Sequence, residues 1–141
     1  MLPTEITVSD AVYNISRSSL LTAAFAAGRL DLIGRAMQDR LHQPYRAPLV
    51  PGMEKLLKEA PQHGALGIAL SGAGPTLLCL VDAGSSRKQE LELFLKETMA
   101  EHGIPAQTRW LPPCIDGVKA ELVERNGMQN SSFLDMIKGE V

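Results

Sequence analysis

Two short apolar runs, separated by a glycine-rich break, constrain the fold of this chain more than any other feature. The runs occupy residues 65–70 and 76–81, and the break between them is Ser71-Gly72-Ala73-Gly74-Pro75. Short continuous runs of this kind are typical of strands buried in a sheet. A five-residue break is typical of a tight connection between neighbouring strands. The centre of the chain is therefore predicted to be a pair of hairpin-like strands.

Helical periodicity precedes this pair. A first helix is predicted from Ser9 or Asp10 to about residue 27, with Gly28 ending it. One face of this helix carries mainly small and apolar side chains, so we expect either a packing partner or a ligand close to it. A second helix is predicted over residues 30–41, and a short one over residues 51–60. Three prolines between these last two predict an extended, stiff loop over residues 42–52.

One more helix is predicted after the strands, beginning with a capping box of Ser86 and Gln89 and ending near Gly103. Alternating apolar and polar residues then predict half-buried strands over residues 106–110 and 118–122. This order predicts an α+β sandwich with a largely antiparallel sheet and its helices grouped on one face. We expect one domain over residues 1–123 and a loose polar tail over residues 124–141.

Composition excludes several classes of function. The 141 residues carry 14 basic and 16 acidic side chains, a net charge of −2, which predicts neither nucleic-acid nor anionic-membrane binding. No apolar run approaches the ~18 residues that a spanning helix needs. The first residues resemble no secretory signal, and the two cysteines, Cys79 and Cys114, are interpreted as reduced thiols, so the expected location is the cytoplasm. Three scattered histidines and no paired-cysteine motif predict no metal site.

The glycine-rich break is the first candidate site. Gly72 and Gly74 permit left-handed backbone and a close approach, so adjacent amides could form an anion-binding nest beside the hydroxyl of Ser71. A plain glycine turn explains the same pattern. The break lacks the lysine of a phosphate-binding P-loop and the third glycine of a dinucleotide fingerprint.

Arg46 is the second candidate. It follows Pro44 in a proline-rich segment, and a planar guanidinium held on a stiff loop suits a carboxylate or a phosphate. A solvated arginine is the alternative. His42 and Tyr45 are weaker candidates, and Arg17 in the first helix is interpreted as a solvated charge. No pattern predicts a nucleophile or a general base, so no catalytic residue is expected in this chain.

The same segments resemble a known family. The break at residues 71–75 resembles the third motif of the GHMP small-molecule kinases. Residues 39–52 resemble the homoserine kinase family within that superfamily, through His42-Gln43-Pro44-Tyr45-Arg46 and Pro48-Leu49-Val50-Pro51-Gly52. Leu2-Pro3, followed by Asn14 and Ser16, belongs to the same resemblance, which covers residues 2–123.

The resemblance implies a ferredoxin-like carboxy-terminal domain of an enzyme that phosphorylates L-homoserine with ATP and Mg²⁺ on the route to threonine. It implies that Arg46 binds the substrate α-carboxylate, and that Ser71, Gly72 and Gly74 support the phosphate loop. That fold begins with a strand before its first helix, so we expect the sheet here to lack its first strand and to expose an edge.

The sequence differs from the homoserine kinase family in its length and in one missing segment. Homoserine kinases are about twice as long, and the sequence has no segment like the family's glycine- and serine-rich phosphate loop. The resemblance therefore implies a domain that binds no cofactor tightly, has no activity alone, and needs an amino-terminal half. A homodimer is the expected state of the isolated chain. Two alternatives are the same domain of another GHMP kinase and a non-catalytic amino-acid-binding or interaction module of this fold.

Overall fold

The computed structural model describes residues 2–114. The chain divides into two units, Met1–Arg109 and Trp110–Val141, and every helix and strand within residues 2–114 belongs to the first unit. The predicted strand over residues 118–122 and the predicted boundary after residue 123 lie outside the described residues.

The first helix, α1 (Val8–Ala26), begins slightly earlier than predicted. Thr7 is its N-cap, because the Thr7 hydroxyl accepts a hydrogen bond from the amide of Asp10 at 3.1 Å. Ala24 is its one buried residue among those described, whereas Val8, Val12 and Ile15 are 81%, 59% and 66% exposed. The face that was expected to meet a close partner is thus uncovered in this chain.

The prediction of one helix over residues 30–41 is wrong. A 3-10 turn (Leu30–Leu32) leads into a single helical turn, α2 (Ile33–Ala36). This turn packs closely on the chain before the first strand, since a Cβ added at Gly34 would lie 2.9 Å from the carbonyl oxygen of Leu66. The helix ends at Ala36, and helical bonding does not resume through residue 41, because the carboxylate of Asp39 accepts the amides of Leu41, His42 and Gln43.

The prediction of an extended loop over residues 42–52 is also wrong. This segment contains a helical turn, α3 (Gln43–Arg46), and a 3-10 turn (Ala47–Leu49). Proline is tolerated there because Pro44 lies in the first turn of a helix, where an amide would have no partner within the helix. The helix α4 (Met53–Glu59) follows, and a further 3-10 turn (Ala60–His63) leads towards the sheet.

The central strand pair forms as predicted. Strands β1 (Gly67–Leu70) and β2 (Leu77–Leu80) are antiparallel, and Ile68 pairs with Cys79 while Leu70 pairs with Leu77. The α+β class with an antiparallel sheet is confirmed, and residues 2–7 before α1 form no strand.

The last described helix, α5 (Lys88–Glu101), completes the core without the predicted capping box. Arg87 is its N-cap, and the Arg87 side chain makes no capping hydrogen bond. The amide of Arg87 donates to the hydroxyl of Ser85 at 3.2 Å. Side chains from α4, α5 and the strands then form one apolar cluster, whose buried members are Leu56, Ala60, Ala65, Ile68, Leu91 and Met99.

The predicted strand over residues 106–110 is wrong. The chain there is irregular. Ala106 packs on the apolar cluster, and the Thr108 hydroxyl donates to the carboxylate of Glu92 on α5 at 2.5 Å. The half-buried alternation that suggested a strand arises from this packing against a helix.

None of the helices within residues 2–114 combines the length and the apolar character required to cross a membrane.

Candidate functional site

The carboxylate of Asp39 organises the segment that carries Arg46. It accepts hydrogen bonds from the amides of Leu41 at 3.0 Å and His42 at 2.8 Å, and from that of Gln43, the first residue of α3. The amide group of Asn14 on α1 also donates to Asp39 and accepts from the amide of Arg40 at 3.0 Å. Asp39 therefore fixes where α3 begins and ties it to α1.

These bonds set the ionisation of Asp39. Partial burial by itself raises the pKa of this carboxyl, but the hydrogen bonds from Asn14 and from the amides of Gln43, Leu41 and His42 outweigh it. The pKa of Asp39 is consequently lower than its ordinary value. The carboxylate stays charged at neutral pH and acts as a fixed acceptor, which makes it a poor general base.

Gln43 joins the Arg46 segment to the glycine-rich break. Its side chain is 8% exposed; the oxygen accepts the amide of Leu70 at 2.9 Å, and the nitrogen donates to the carbonyl of Met37 at 3.4 Å. Leu70 is the last residue of β1 and immediately precedes Ser71. One buried amide side chain thus fixes the beginning of α3 relative to the end of β1.

The substitution Gln43→Leu is expected to destabilise the chain by about 2 kcal/mol, because it leaves the buried amide of Leu70 without an acceptor. Urea denaturation followed by circular dichroism measures this difference. Gln89→Leu is the matched control, since Gln89 is exposed on α5. Equal losses of unfolding free energy in the two variants would show that the hydrogen bond between Gln43 and Leu70 adds no specific stability.

Arg46 is the last residue of α3. The residue is only partly exposed, and its Nε atom is buried without a hydrogen-bond acceptor among residues 2–114. A buried guanidinium N–H without an acceptor is unusual, because such a group costs free energy until an acceptor arrives. Arg46 therefore has a hydrogen-bond donor that no residue within 2–114 uses.

The two weaker candidates, His42 and Tyr45, lie shortly before Arg46 in the chain. The amide of His42 is used by Asp39, and the carbonyl of His42 accepts the amides of Tyr45 at 3.1 Å and Arg46 at 3.2 Å. His42 thus shapes α3 through its backbone. Tyr45 is 45% exposed, so its ring is available for contact.

The glycine-rich break forms a tight turn at the ends of β1 and β2. The amide of Ser71 donates to the carbonyl of Thr76 at 2.8 Å, and the amide of Gly74 donates to the carbonyl of Ser71 at 3.1 Å. Gly72 and Gly74 have φ angles of +57° and +82°, in the left-handed region that favours glycine. Nothing lies within 4 Å of a Cβ added at Gly72, so its surface is open to a neighbour.

Sequence reasoning missed Asp39, Asn14 and Gln43. Asp39 lies four residues before the start of α3, whose N-cap is His42, so no capping motif indicated its role. The role of Gln43 had no local indication either, since its partners lie 27 and 6 residues away.

Other features of the described chain carry less chemistry. Burial raises the pKa of the Cys79 thiol to about 11, so it is not a nucleophile at neutral pH. Across residues 2–114, no group of three or more His, Cys, Asp or Glu side chains could hold a metal ion. An open cavity of about 400 Å³ near α4 contains none of the predicted site residues; its lining is Ala47, Pro48, Val50, Pro51, Gly52, Glu54, Lys55 and His102.

Comparison with known proteins gives concordant results. The family described as GHMP kinases C terminal matches residues 21–101. The homoserine kinase of Deinococcus radiodurans is 46% identical over 112 residues, which cover 79% of this chain and 36% of that protein. The homoserine kinase of Moorella thermoacetica is 42% identical over 117 residues, covering 83% of this chain and 38% of that protein.

A solved structure agrees. The crystal structure of homoserine kinase from Cytophaga hutchinsonii matches with a TM-score of 0.65 and 33% identity, over 72% of this chain and 32% of that one. The chain therefore spans about a third of the length of the curated relatives that it matches.

Proposed function

Because this chain belongs to the family of GHMP kinase C-terminal domains, we propose that it is the carboxy-terminal domain of a homoserine kinase. Such an enzyme transfers the γ-phosphoryl group of ATP to the hydroxyl of L-homoserine, and we place it in the cytoplasm. One observation carries the proposal: Nε of the partly buried Arg46 guanidinium is itself buried and has no hydrogen-bond acceptor within residues 2–114. Its position in the His42–Arg46 motif of the sequence supports the same role.

Arg46 binds the α-carboxylate of homoserine. Two parallel N–H groups of a guanidinium match the two oxygens of a carboxylate, and the bonds are strengthened by charge. The approach is fixed because Asp39 holds the start of α3 and Gln43 ties that start to β1. His42 and Tyr45 border this arginine and contribute to the same substrate region.

Ser71, Gly72 and Gly74 support the phosphate-binding side. Their turn follows β1 directly and offers an open backbone at Gly72. In the complete enzyme, ATP supplies the phosphoryl group and Mg²⁺ neutralises its charge, so catalysis depends on positioning and electrostatics. The sequence contains no segment like the family's phosphate loop, so the chain alone is inactive and binds neither cofactor tightly.

The substrate can be tested in a fusion of this chain to the amino-terminal part of the Deinococcus radiodurans homoserine kinase. We expect ADP formation with L-homoserine and none above background with galactose or mevalonate. Arg46 recognises a carboxylate, which galactose lacks, and mevalonate places its primary alcohol one carbon farther from its carboxylate than homoserine does. Mevalonate also has a carboxylate and is therefore the more demanding control. Preferential phosphorylation of galactose or mevalonate would assign the domain to another GHMP kinase.

The uncovered apolar face of α1, which includes Val8, Val12 and Ile15, supports the need for an amino-terminal half. In the isolated chain we expect this face to drive homodimer formation instead. Sedimentation velocity over a range of concentrations measures this. A clean monomer at the highest concentration would contradict the dimer.

A second candidate function is a non-catalytic module that binds an amino acid. The buried Nε of Arg46 without an acceptor within residues 2–114 favours it equally, because binding a carboxylate requires no phosphoryl transfer. Binding of L-homoserine or L-threonine by the chain, together with an inactive fusion, would support this alternative.

A further inference from the structure

Arg17 shares an unusual feature with Arg46. Among the described residues, these two side chains alone have a buried nitrogen or oxygen atom without a hydrogen-bond partner, and in both the atom is Nε of the guanidinium. Buried polar groups in folded proteins are nearly always paired. Any acceptor for this N–H of Arg17 lies outside residues 2–114.

The Arg17 guanidinium is held in place by an aromatic ring. Its Cζ atom lies 4.4 Å from the centre of the Tyr13 ring, one helical turn earlier on α1. The Tyr13 hydroxyl donates to the side-chain oxygen of Gln38 at 2.7 Å, which anchors the ring. A ring face attracts the positive charge but offers the N–H groups no conventional acceptor, so Arg17 is positioned without using its hydrogen-bond donors within residues 2–114.

A second arginine lies on the same ring. Cζ of Arg40 is 3.8 Å from the centre of the Tyr13 ring, and Nη1 of Arg40 is 3.4 Å from the carboxylate of Asp10. Arg17 has no such carboxylate within 4 Å in the part of the chain that the structure describes. Asp10 is thus paired with Arg40, and no carboxylate of the described residues is paired with Arg17.

Two other arginines of the chain form ordinary ion pairs with carboxylates. Arg29 binds Asp31 at 2.7 Å and Arg87 binds Glu90 at 2.7 Å, both on exposed surfaces. Arg17 differs because it is partly buried, oriented by an aromatic ring and without a carboxylate partner. Its environment resembles a binding site more than a solvated surface.

We propose that Arg17, oriented on Tyr13 and accompanied by Arg40, forms a binding site for an oxyanion, either a phosphate or a carboxylate group. The planar fork of a guanidinium binds both groups through two parallel hydrogen bonds. Arg17 and Tyr13 lie on α1, and Arg40 lies after α2. The site is separate from the proposed role of Arg46, because anion binding here requires no kinase activity.

Nitrogen-15 NMR of the arginine Nε–Hε groups tests this site in the 141-residue chain. Inorganic phosphate and, separately, acetate are titrated at constant ionic strength. We expect the Arg17 resonance, identified by its loss in Arg17→Lys, to shift saturably while that of the exposed Arg35 does not. A stronger response to phosphate assigns the site to a phosphoryl group, and a stronger response to acetate assigns it to a carboxylate.

The Arg17→Lys variant provides a second measurement, because lysine keeps the charge but lacks Nε and the planar fork. Calorimetry should show weaker binding of the preferred anion by about tenfold, whereas Arg35→Lys should bind like the wild type. An Arg17 resonance that moves no more than that of Arg35, or unchanged affinity in Arg17→Lys, would overturn the inference. If Arg46 alone responds, the oxyanion site fails while the proposed substrate role of Arg46 is supported.

Discussion

Replacing Arg46 by alanine in a complete homoserine kinase that contains this domain is expected to raise the KM for L-homoserine by about 10- to 100-fold. A bidentate, charge-assisted contact to a carboxylate contributes roughly 1.5–3 kcal/mol, which corresponds to that range. The effect should fall mainly on KM, because the α-carboxylate does not change during phosphoryl transfer and is held equally before and in the transition state. Steady-state kinetics with varied L-homoserine at saturating ATP measures the split between KM and kcat.

Two further variants give this experiment its controls. Arg46→Lys keeps the charge without the planar fork, so its KM should lie between those of the wild type and Arg46→Ala. Arg35→Ala removes an exposed arginine on α2 and should leave both constants unchanged. An unchanged KM in Arg46→Ala would refute the carboxylate role.

Asp39→Ala is expected to destabilise the chain by about 3 kcal/mol near neutral pH. The carboxylate accepts three backbone amides and the side-chain amide of Asn14, and its removal leaves these partly buried donors unpaired. Hydrogen bonds to a charged group contribute roughly 1.5–3 kcal/mol each, and partial exposure here reduces the sum because water replaces some of them. Denaturant unfolding measures the difference.

Asp82→Ala is the matched control for Asp39→Ala. The carboxylate of Asp82 accepts a single amide, that of Gly84 at 2.8 Å, in an exposed turn. Removing it should lower the free energy of unfolding by at most a third of the loss expected for Asp39→Ala. Equal costs would show that the network around Asp39 adds nothing beyond one ordinary turn contact.

The pH dependence gives a second test of Asp39. Its pKa is lowered in the folded state, so its stabilising contribution is complete above the unfolded-state pKa of about 3.9 and is lost as the pH falls through the lower folded-state value. The stability difference between the wild type and Asp39→Ala should therefore shrink below about pH 4. A difference that stays constant across this range would contradict the charged-acceptor role.

The parts of the fold that sequence predicted well depend on local patterns. The strand pair follows from two apolar runs around Gly72 and Gly74, and α1 follows from a long helical stretch ended by Gly28. The family resemblance rested on the His42–Arg46 motif and the glycine-rich break, and it is confirmed by the match to GHMP kinase C-terminal domains. The roles assigned to Arg46, Ser71, Gly72 and Gly74 stay predictions.

The predictions that were wrong concern segments whose structure depends on contacts between residues distant in the sequence. Residues 106–110 alternate like a strand, but Thr108 and Ala106 take their partners from α5 and the core beneath it. The helix predicted over residues 30–41 ends at Ala36, and the amides of Leu41 and His42 bond to the carboxylate of Asp39 instead of continuing it. The bridge from Gln43 to Leu70 could not be predicted because no local pattern links residues 27 positions apart.

The most direct test of the central claim is homoserine-dependent ADP formation with ATP and Mg²⁺. It is measured for the chain alone, for the chain mixed with a separately expressed amino-terminal part of the Deinococcus radiodurans homoserine kinase, and for a contiguous fusion of the two. Our account predicts no activity for the chain alone and activity for the fusion; activity in the mixture would show that the halves also dock without a covalent link. Turnover by the chain alone would contradict the need for a phosphate loop, and a folded fusion that neither binds nor phosphorylates L-homoserine would contradict the kinase assignment.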